Sequence, residues 1–338
     1  MTGEMHSLAQ EFGDVLFLDA KLGGGNTAAW PFWGPTVLDE ENCPRRIAHC
    51  LTYTESNEIA NWILRAILDL VPSLETTLFT VFTDGRVSEA TVKAVFPNVA
   101  HFLCPWHICV VDLPRKLARE PLLQEVIDDV RDCLVGGSHE DQFHRDWARI
   151  MGKLTVAGQE YMGYWYRRRE QWAGYSRARE FTMLREGNTT AEQTNSVVAR
   201  ALGSGKLHLV PFLGRLLDME NRVRNTKLQE MRTTQVHLAA RLRDMESEVQ
   251  RECFREQGDF AADQFVEQLE QSKNYKVVFS AHQTVATLTR QGYPRVPRRL
   301  ELDENGVWTC TCGDWCQVHL ACRHVIAVLN AVTCVSPP

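Results

Sequence analysis

The sequence predicts an α/β fold: a mixed sheet interrupted by a helical insertion, then a helical segment and a small cysteine-rich module. Three observations carry this reading. Short apolar runs alternate with amphipathic helical stripes over the first hundred residues; residues 108–186 are helical and charge-rich; and four of eleven cysteines crowd between Cys310 and Cys322, beside His319 and His324. With 338 residues the chain amounts to one large or two ordinary domains. Its 44% apolar and 24% charged content is that of a globular protein, which excludes disordered, collagen-like and fibrous classes.

The elements follow in order. Val15-Leu16-Phe17-Leu18 is an apolar strand ending at Asp19, and Gly23-Gly24-Gly25-Asn26 is a turn. Trp30 to Leu38 and Arg46 to Tyr53 read as two further strands in antiparallel connection. Glu55 to Val71 has helical spacing, with Ile59, Ile63, Ile67 and Leu70 as its stripe and Thr54 as its cap. Leu78 to Phe82 is a buried strand running into Thr83-Asp84-Gly85; Val87 to Phe96 is a helix and Ala100 to Leu103 a short strand. Beyond the helical insertion (about 109–187), a helix starts near Thr189, and Asn221 to Glu256 forms a long polar helix. Gly292 to Arg299 reads as a Pro/Arg linker. The expected division is 1–220, a helical connector at 221–289 and the cysteine-rich module at 290–338.

The end of the chain reads Trp308-Thr309-Cys310-Thr311-Cys312, nine residues, then Cys322-Arg323-His324-Val325 and an apolar helical run. Cysteines two apart on a strand share a face. Three thiolates and one imidazole, Cys310, Cys312, Cys322 and His324, make a closed tetrahedral site for structural Zn²⁺. Cys316 and His319 are spare candidates by spacing, and a set of buried thiols is the alternative. The Cys-x-Cys…Cys-x-His order before an apolar helix resembles the SWIM zinc finger. That resemblance selects Cys310, Cys312, Cys322 and His324 and implies DNA or protein binding.

Asp19 and Asp84 each end an apolar strand. On neighbouring strands, two such carboxylates leave one sheet edge together and offer the hard oxygen donors that divalent cations take in phosphodiester chemistry. Each alone is equally a turn former. After Asp84 come a helix, Val95-Phe96-Pro97, Ala100-His101-Phe102 and Cys104-Pro105-Trp106-His107. This segment resembles the Mutator-like element (MULE) transposase domain. Phe17-Leu18-Asp19-Ala20, Glu55-Ser56-Asn57 with Trp62, Glu170-Gln171-Trp172-Ala173 and the run Asn188 to Asn195 extend the resemblance from about Gly13 to about Leu217.

The resemblance implies an RNase H-like fold with a helical insertion, and a catalytic set of Asp19, Asp84 and Glu192 holding Mg²⁺ or Mn²⁺. The activity implied is DNA strand cleavage and transfer. Glu192 also completes a capping box with Thr189. Cys104 and His107 form a half-site near the active site: two ligands do not make a zinc centre.

Two basic stretches are candidate nucleic-acid contacts. Arg167, Arg168 and Arg169 interleave with Tyr164, Trp165, Tyr166, Trp172 and Tyr175, an arrangement that serves base stacking and helix packing alike. Arg295, Arg298 and Arg299, with Arg290, form a basic arm before the finger.

Three departures from the family pattern stand out. The chain starts almost at the first catalytic strand, so the N-terminal DNA-binding domain common in relatives is expected to be missing, as in a truncated product. Lys21 replaces the usual threonine near the first Asp. The first 108 residues carry a net charge of −7, unfavourable to phosphate before a metal binds. The whole chain, at −6, has no basic footprint.

Two readings of function follow. One is an active transposase. The other is a domesticated nuclear DNA-binding or regulatory protein without catalysis, like the far-red-response transcription factors of plants. A third possibility, a protein-interaction module, rests on the finger alone. The expected partner is DNA, with a possible homo-oligomer. The expected location is nuclear, in a soluble intracellular chain: no run approaches the roughly 18 apolar residues of a membrane span, and the start lacks a secretory pattern.

Overall fold

Val15-Leu16-Phe17-Leu18 sends alternate side chains to opposite faces, and both faces are covered. Leu16 and Leu18 belong to one buried cluster, Val15 and Phe17 to another. The computed structural model describes residues 1–21, 26–39, 42–135, 140–183, 198, 200, 207–223, 225–226, 248–291, 293–304, 306–310, 312 and 321–335. The chain divides into two units, Met1–Ala240 and Arg241–Pro338.

In the first unit, helix α1 (Gly3–Glu11) precedes β1 (Val15–Leu18) and β2 (Ala20–Lys21). There follow β3 (Phe32–Trp33), β4 (Thr36–Leu38), β5 (Pro44–Arg46) and β6 (Cys50–Leu51). Then come α2 (Asn57–Leu70), α3 (Leu74–Thr77), β7 (Thr80–Thr83), α4 (Glu89–Lys93) and β8 (Ala100–Leu103). The main sheet has the order β5-β4-β1-β7-β8. β1, β7 and β8 run parallel, while β4 is antiparallel to both its neighbours. β2, β3 and β6 form a separate small sheet.

α2 lays Ala60, Ile63, Leu64 and Ile67 on one face of the main sheet, against Leu16, Leu18 and Val81. On the other face Phe17 stacks on Phe82 at 5.1 Å, with Phe102 alongside. Burial of aromatic and branched side chains on both faces is worth about 1.5–3 kcal/mol each and explains why β1 reads as a continuous apolar run, while β7 is buried throughout, its two threonines included.

The insertion begins with a π-helical turn (His107–Asp112) and continues through α5 (Leu113–Lys116), α6 (Leu123–Val135), α7 (Glu140–Gly152) and α8 (Val156–Arg167). A 3₁₀ turn (Arg169–Gln171) and α9 (Gly174–Arg177) close it. It has its own core, in which Trp147, Tyr166, Trp172 and Tyr175 surround Phe143.

The second unit contains α10 (Glu248–Ser272), β9 (Tyr275–Phe279), β10 (Val285–Arg290), β11 (Tyr293–Leu302), β12 (Trp308–Thr309) and α11 (Arg323–Val335). Its antiparallel sheet has the order β12-β11-β10-β9. Ala286, Leu288, Leu300, Trp308 and Val328 are its buried apolar centre.

Several expected elements are corrected. Trp30 to Leu38 is two short strands in different sheets, broken at Gly34-Pro35, where Pro35 has no N–H to give. A Cβ on Gly34 would lie 2.5 Å from the Arg46 guanidinium, so the break also admits that side chain. Arg46 to Tyr53 splits likewise, into β5 and β6. Ser56, not Thr54, caps α2, accepting from Ile59 N at 3.3 Å, and Leu70 lies half exposed off the stripe. The helix expected over Val87 to Phe96 is confined to α4, with Ser88 as its cap.

Gly292 to Arg299 is largely strand β11 rather than linker; Pro294 and Pro297 sit where the pairing with β10 shifts and where β12 has not yet joined. Residues 275–290, expected in a helical connector, are strands β9 and β10 and the turn that joins them. The helix expected near Thr189 and most of the Asn221–Glu256 helix lie outside the described residues. Among those residues, no helix is long and apolar enough to cross a membrane.

Candidate functional site

β1 and β7 pair in parallel with Leu18 opposite Thr83, so the next residues, Asp19 and Asp84, leave the sheet side by side. Both are buried. Asp84 Oδ1 accepts from the backbone N–H of Arg86 at 3.0 Å and of Val87 at 3.4 Å, which fixes its carboxylate in the turn. The turn-forming reading of Asp84 is therefore met by these two bonds.

His107 opens the π-helical turn and brings Nε2 to 4.0 Å from Asp19 Oδ1. Burial lowers its pKa; Asp84 and then Asp112 oppose that shift. Cys104 is fully buried, and its N–H bonds Thr83 O at 2.8 Å, so this half of the pair continues the β7–β8 ladder. Glu192, the third expected acid, lies outside the described residues.

Two residues at this edge escaped the sequence reading as site groups. Glu55 just precedes the α2 cap and pairs with Arg86 at 2.6 Å. Its carboxyl is raised by burial and by Asp84, and held down by Arg86. The Arg86 guanidinium also stands 4.0 Å from Asp84 Oδ2. Arg46 is buried with its guanidinium 5.3 Å from the centre of the Phe32 ring. Desolvation brings it down to about 10, while Glu220 and Asp19 stabilise its charge. The signal for Glu55 was its place in a matched motif; for Arg46 there was none, because a basic residue in a strand says nothing of its burial.

In the second unit, Cys310 and Cys312 follow β12, and Cys322 and His324 open α11. All four are buried, and their ligand atoms lie within 4.8 Å of one another. His324 Nδ1 is 3.7 Å from Cys310 Sγ and 3.9 Å from Cys322 Sγ. A tetrahedral zinc with ordinary Zn–S and Zn–N bonds needs such edges to be about 3.6 Å, so the donor set fits the ion. Without a cation the thiols burden one another: Cys310 is pushed up to about 11, first by the Cys312 thiol, and Cys322 is raised by Cys310 and Cys312. The Tyr275 ring meets His324 edge-on at 4.9 Å, and Gln268 of α10 accepts from Arg323 N at 3.0 Å. α10 is thus built into this unit. Cys316 and His319 lie outside the described residues.

Residues 299–332 match the SWIM zinc finger. The SWIM finger spans the end of β11, β12, the four ligand-type residues and most of α11. Over 86 residues, 25% of the chain, the sequence is also 28% identical to Protein FAR1-RELATED SEQUENCE 4 of Arabidopsis thaliana. The match covers 12% of that relative's length.

The candidate nucleic-acid residues divide. Trp165, Trp172 and Tyr175 are core and unavailable to bases. Arg168 lies over the Tyr164 and Trp165 rings and Arg169 over Tyr166 at 4.8 Å, while Arg167 is exposed. Arg299 is exposed and pairs with Glu301 at 3.1 Å; Arg298 is half-buried. Arg295 lies on β11.

Proposed function

We propose that the chain derives from a Mutator-like element transposase: residues 1–220 form an RNase H-like catalytic domain with the insertion at about 109–187, and residues 290–338 the zinc-held DNA-contact module. The observation that carries this is the placement of Asp19 and Asp84 just past the ends of adjacent parallel strands in a sheet ordered β5-β4-β1-β7-β8, with β4 reversed. Numbered within that sheet the order is 3-2-1-4-5, with the two aspartates following strands 1 and 4.

Asp19, Asp84 and Glu192 would hold Mg²⁺ or Mn²⁺, and His107 would orient Asp19. The cation, when bound, would activate the attacking oxygen and stabilise the leaving oxygen of a DNA phosphodiester. Arg86 would release Glu55 and Asp84 to admit substrate phosphate. The function proposed is metal-dependent DNA strand cleavage and transfer, in the nucleus and with DNA as partner. A second reading, a DNA-binding regulator that has lost catalysis, is favoured by the stretch similar to a FAR1-related protein.

Calorimetry with Mn²⁺ on the zinc-loaded chain tests the site: micromolar binding is expected in wild type and is lost in Asp84→Asn. Absence of Mn²⁺ binding in folded wild type, with DNA affinity retained, would overturn the catalytic reading in favour of the regulator.

A further inference from the structure

The backbone around Asp84 is held from both sides by groups that are not metal-ligand candidates. On one side the Thr83 hydroxyl donates to the Asp84 carbonyl oxygen at 2.9 Å. A hydroxyl has one proton, so at its 2.8 Å contact with His101 Nε2 it accepts, and Nε2 carries the hydrogen. The neutral ring then offers Nδ1 as an acceptor, and Gln171 Nε2 lies 3.3 Å away to donate. Gln171 Oε1 in turn accepts from Arg168 Nε at 2.8 Å. On the other side, Arg168 Nη1 donates to the Gly85 carbonyl at 3.1 Å. One guanidinium therefore closes a ring of hydrogen bonds around the Asp84 turn.

The ring admits one tautomer and one direction of donation. Thr83, His101 and Gln171 are buried, so solvent offers little replacement for a lost member. Stacking on Tyr164 and Trp165, with a further hydrogen bond to the Tyr164 hydroxyl, holds the Arg168 side chain in place. A Cβ on Gly85 would meet Trp165 at 3.5 Å, so the insertion also packs directly on the turn. Burial foremost, then Arg168 and Lys93, holds His101 down to about 3, in keeping with a neutral ring.

We propose that Arg168 and Gln171 of the helical insertion, acting with His101, are positioning residues that set the direction of the Asp84 carboxylate through the backbone of residues 83–85. The insertion is then part of the site rather than an appendage to it. This rests on the reading of Asp84 as a metal-facing carboxylate.

The test uses the zinc-loaded full chain. Long-range ¹H–¹⁵N spectra should show His101 as the Nε2–H tautomer. In Arg168→Met and Gln171→Leu, amide exchange of the peptide covering residues 83–88 should quicken about tenfold, while exchange in β1 and α2 stays as in wild type. Mn²⁺ affinity should fall about tenfold or more, the usual effect of losing a group that orients a metal ligand. An Nδ1–H tautomer in wild type, or wild-type exchange and Mn²⁺ affinity in both variants, would overturn the proposal. If wild type itself binds no Mn²⁺, the metal reading fails, while the tautomer and the exchange rates still decide the positioning role. Should Arg168→Met fail to fold, Gln171→Leu, which keeps the charge, carries the decision.

Discussion

His101 illustrates how a buried titratable group ties stability to pH at the scale of one residue. Its pKa in the folded protein is about 3, against an ordinary 6.5. The cause is desolvation first, then the positive charges of Arg168 and Lys93. Between those two values the unfolded chain takes up a proton that the folded chain refuses, so the stability contributed above pH 6.5 is progressively lost on acidification. At pH 5 the loss from this residue alone is about 2 kcal/mol. Burial also lowers His49 and His107, which adds to the loss, while the raised carboxyls of Glu55 and Glu180 oppose it. The residue's own share is read by difference. In urea unfolding of the first unit at pH 7 and pH 5, His101→Gln should lose about 2 kcal/mol less than wild type over that interval. Equal losses would mean that the native ring is already protonated at pH 5.

At the scale of the element, local capping and period set what the sequence could reveal. α2 was expected in the right place because Ile63 and Ile67 recur at helical spacing, but its start was misread by two residues. Thr54 and Ser56 are both capping types; only the structure gives Ser56 the extended backbone and the 3.3 Å bond to Ile59 N. Ser56→Ala should therefore cost about 1 kcal/mol in urea unfolding, and Thr54→Ala much less. A larger loss at Thr54 would restore the original assignment.

β8 was legible to the residue, because Ala100 to Leu103 sets three apolar residues about His101 in a short stretch that follows the turn residues Pro97-Asn98. β11 was not: prolines argue against a central strand, and only long-range pairing with β10 and β12 forms one here. The same limit governs the sites. The four ligand-type residues of the finger lie within fifteen positions and declared themselves by spacing, whereas Arg46, Glu55 and the Arg168–Gln171–His101 ring are assembled from distant segments.

At the scale of the whole molecule, each described core cluster draws its residues from one unit. The two units should therefore respond differently to metal removal. In the second, Cys310, Cys312 and Cys322 are themselves buried members of the core, alongside Ala286, Leu288, Leu300 and Trp308. Stripped of zinc, that core must bury thiols whose protons have been restored, and it loses the crosslink between the end of β12 and the start of α11. Structural zinc contributes folding energy directly, and a small module with few apolar layers has little to set against its removal. The first unit buries α2, the main sheet and the insertion core without help from those thiols. A strong chelator should thus unfold residues 241–338 while leaving the first unit folded, and zinc should restore the second unit. Limited proteolysis after chelation is expected to leave a resistant fragment that carries the main sheet and the insertion core, with a thermal transition matching that of the first unit in the zinc-loaded chain. Loss of both units together on chelation would mean that the finger supports the carboxylate domain as well as its own sheet. A chelated second unit that stayed resistant would mean that the apolar core alone holds it.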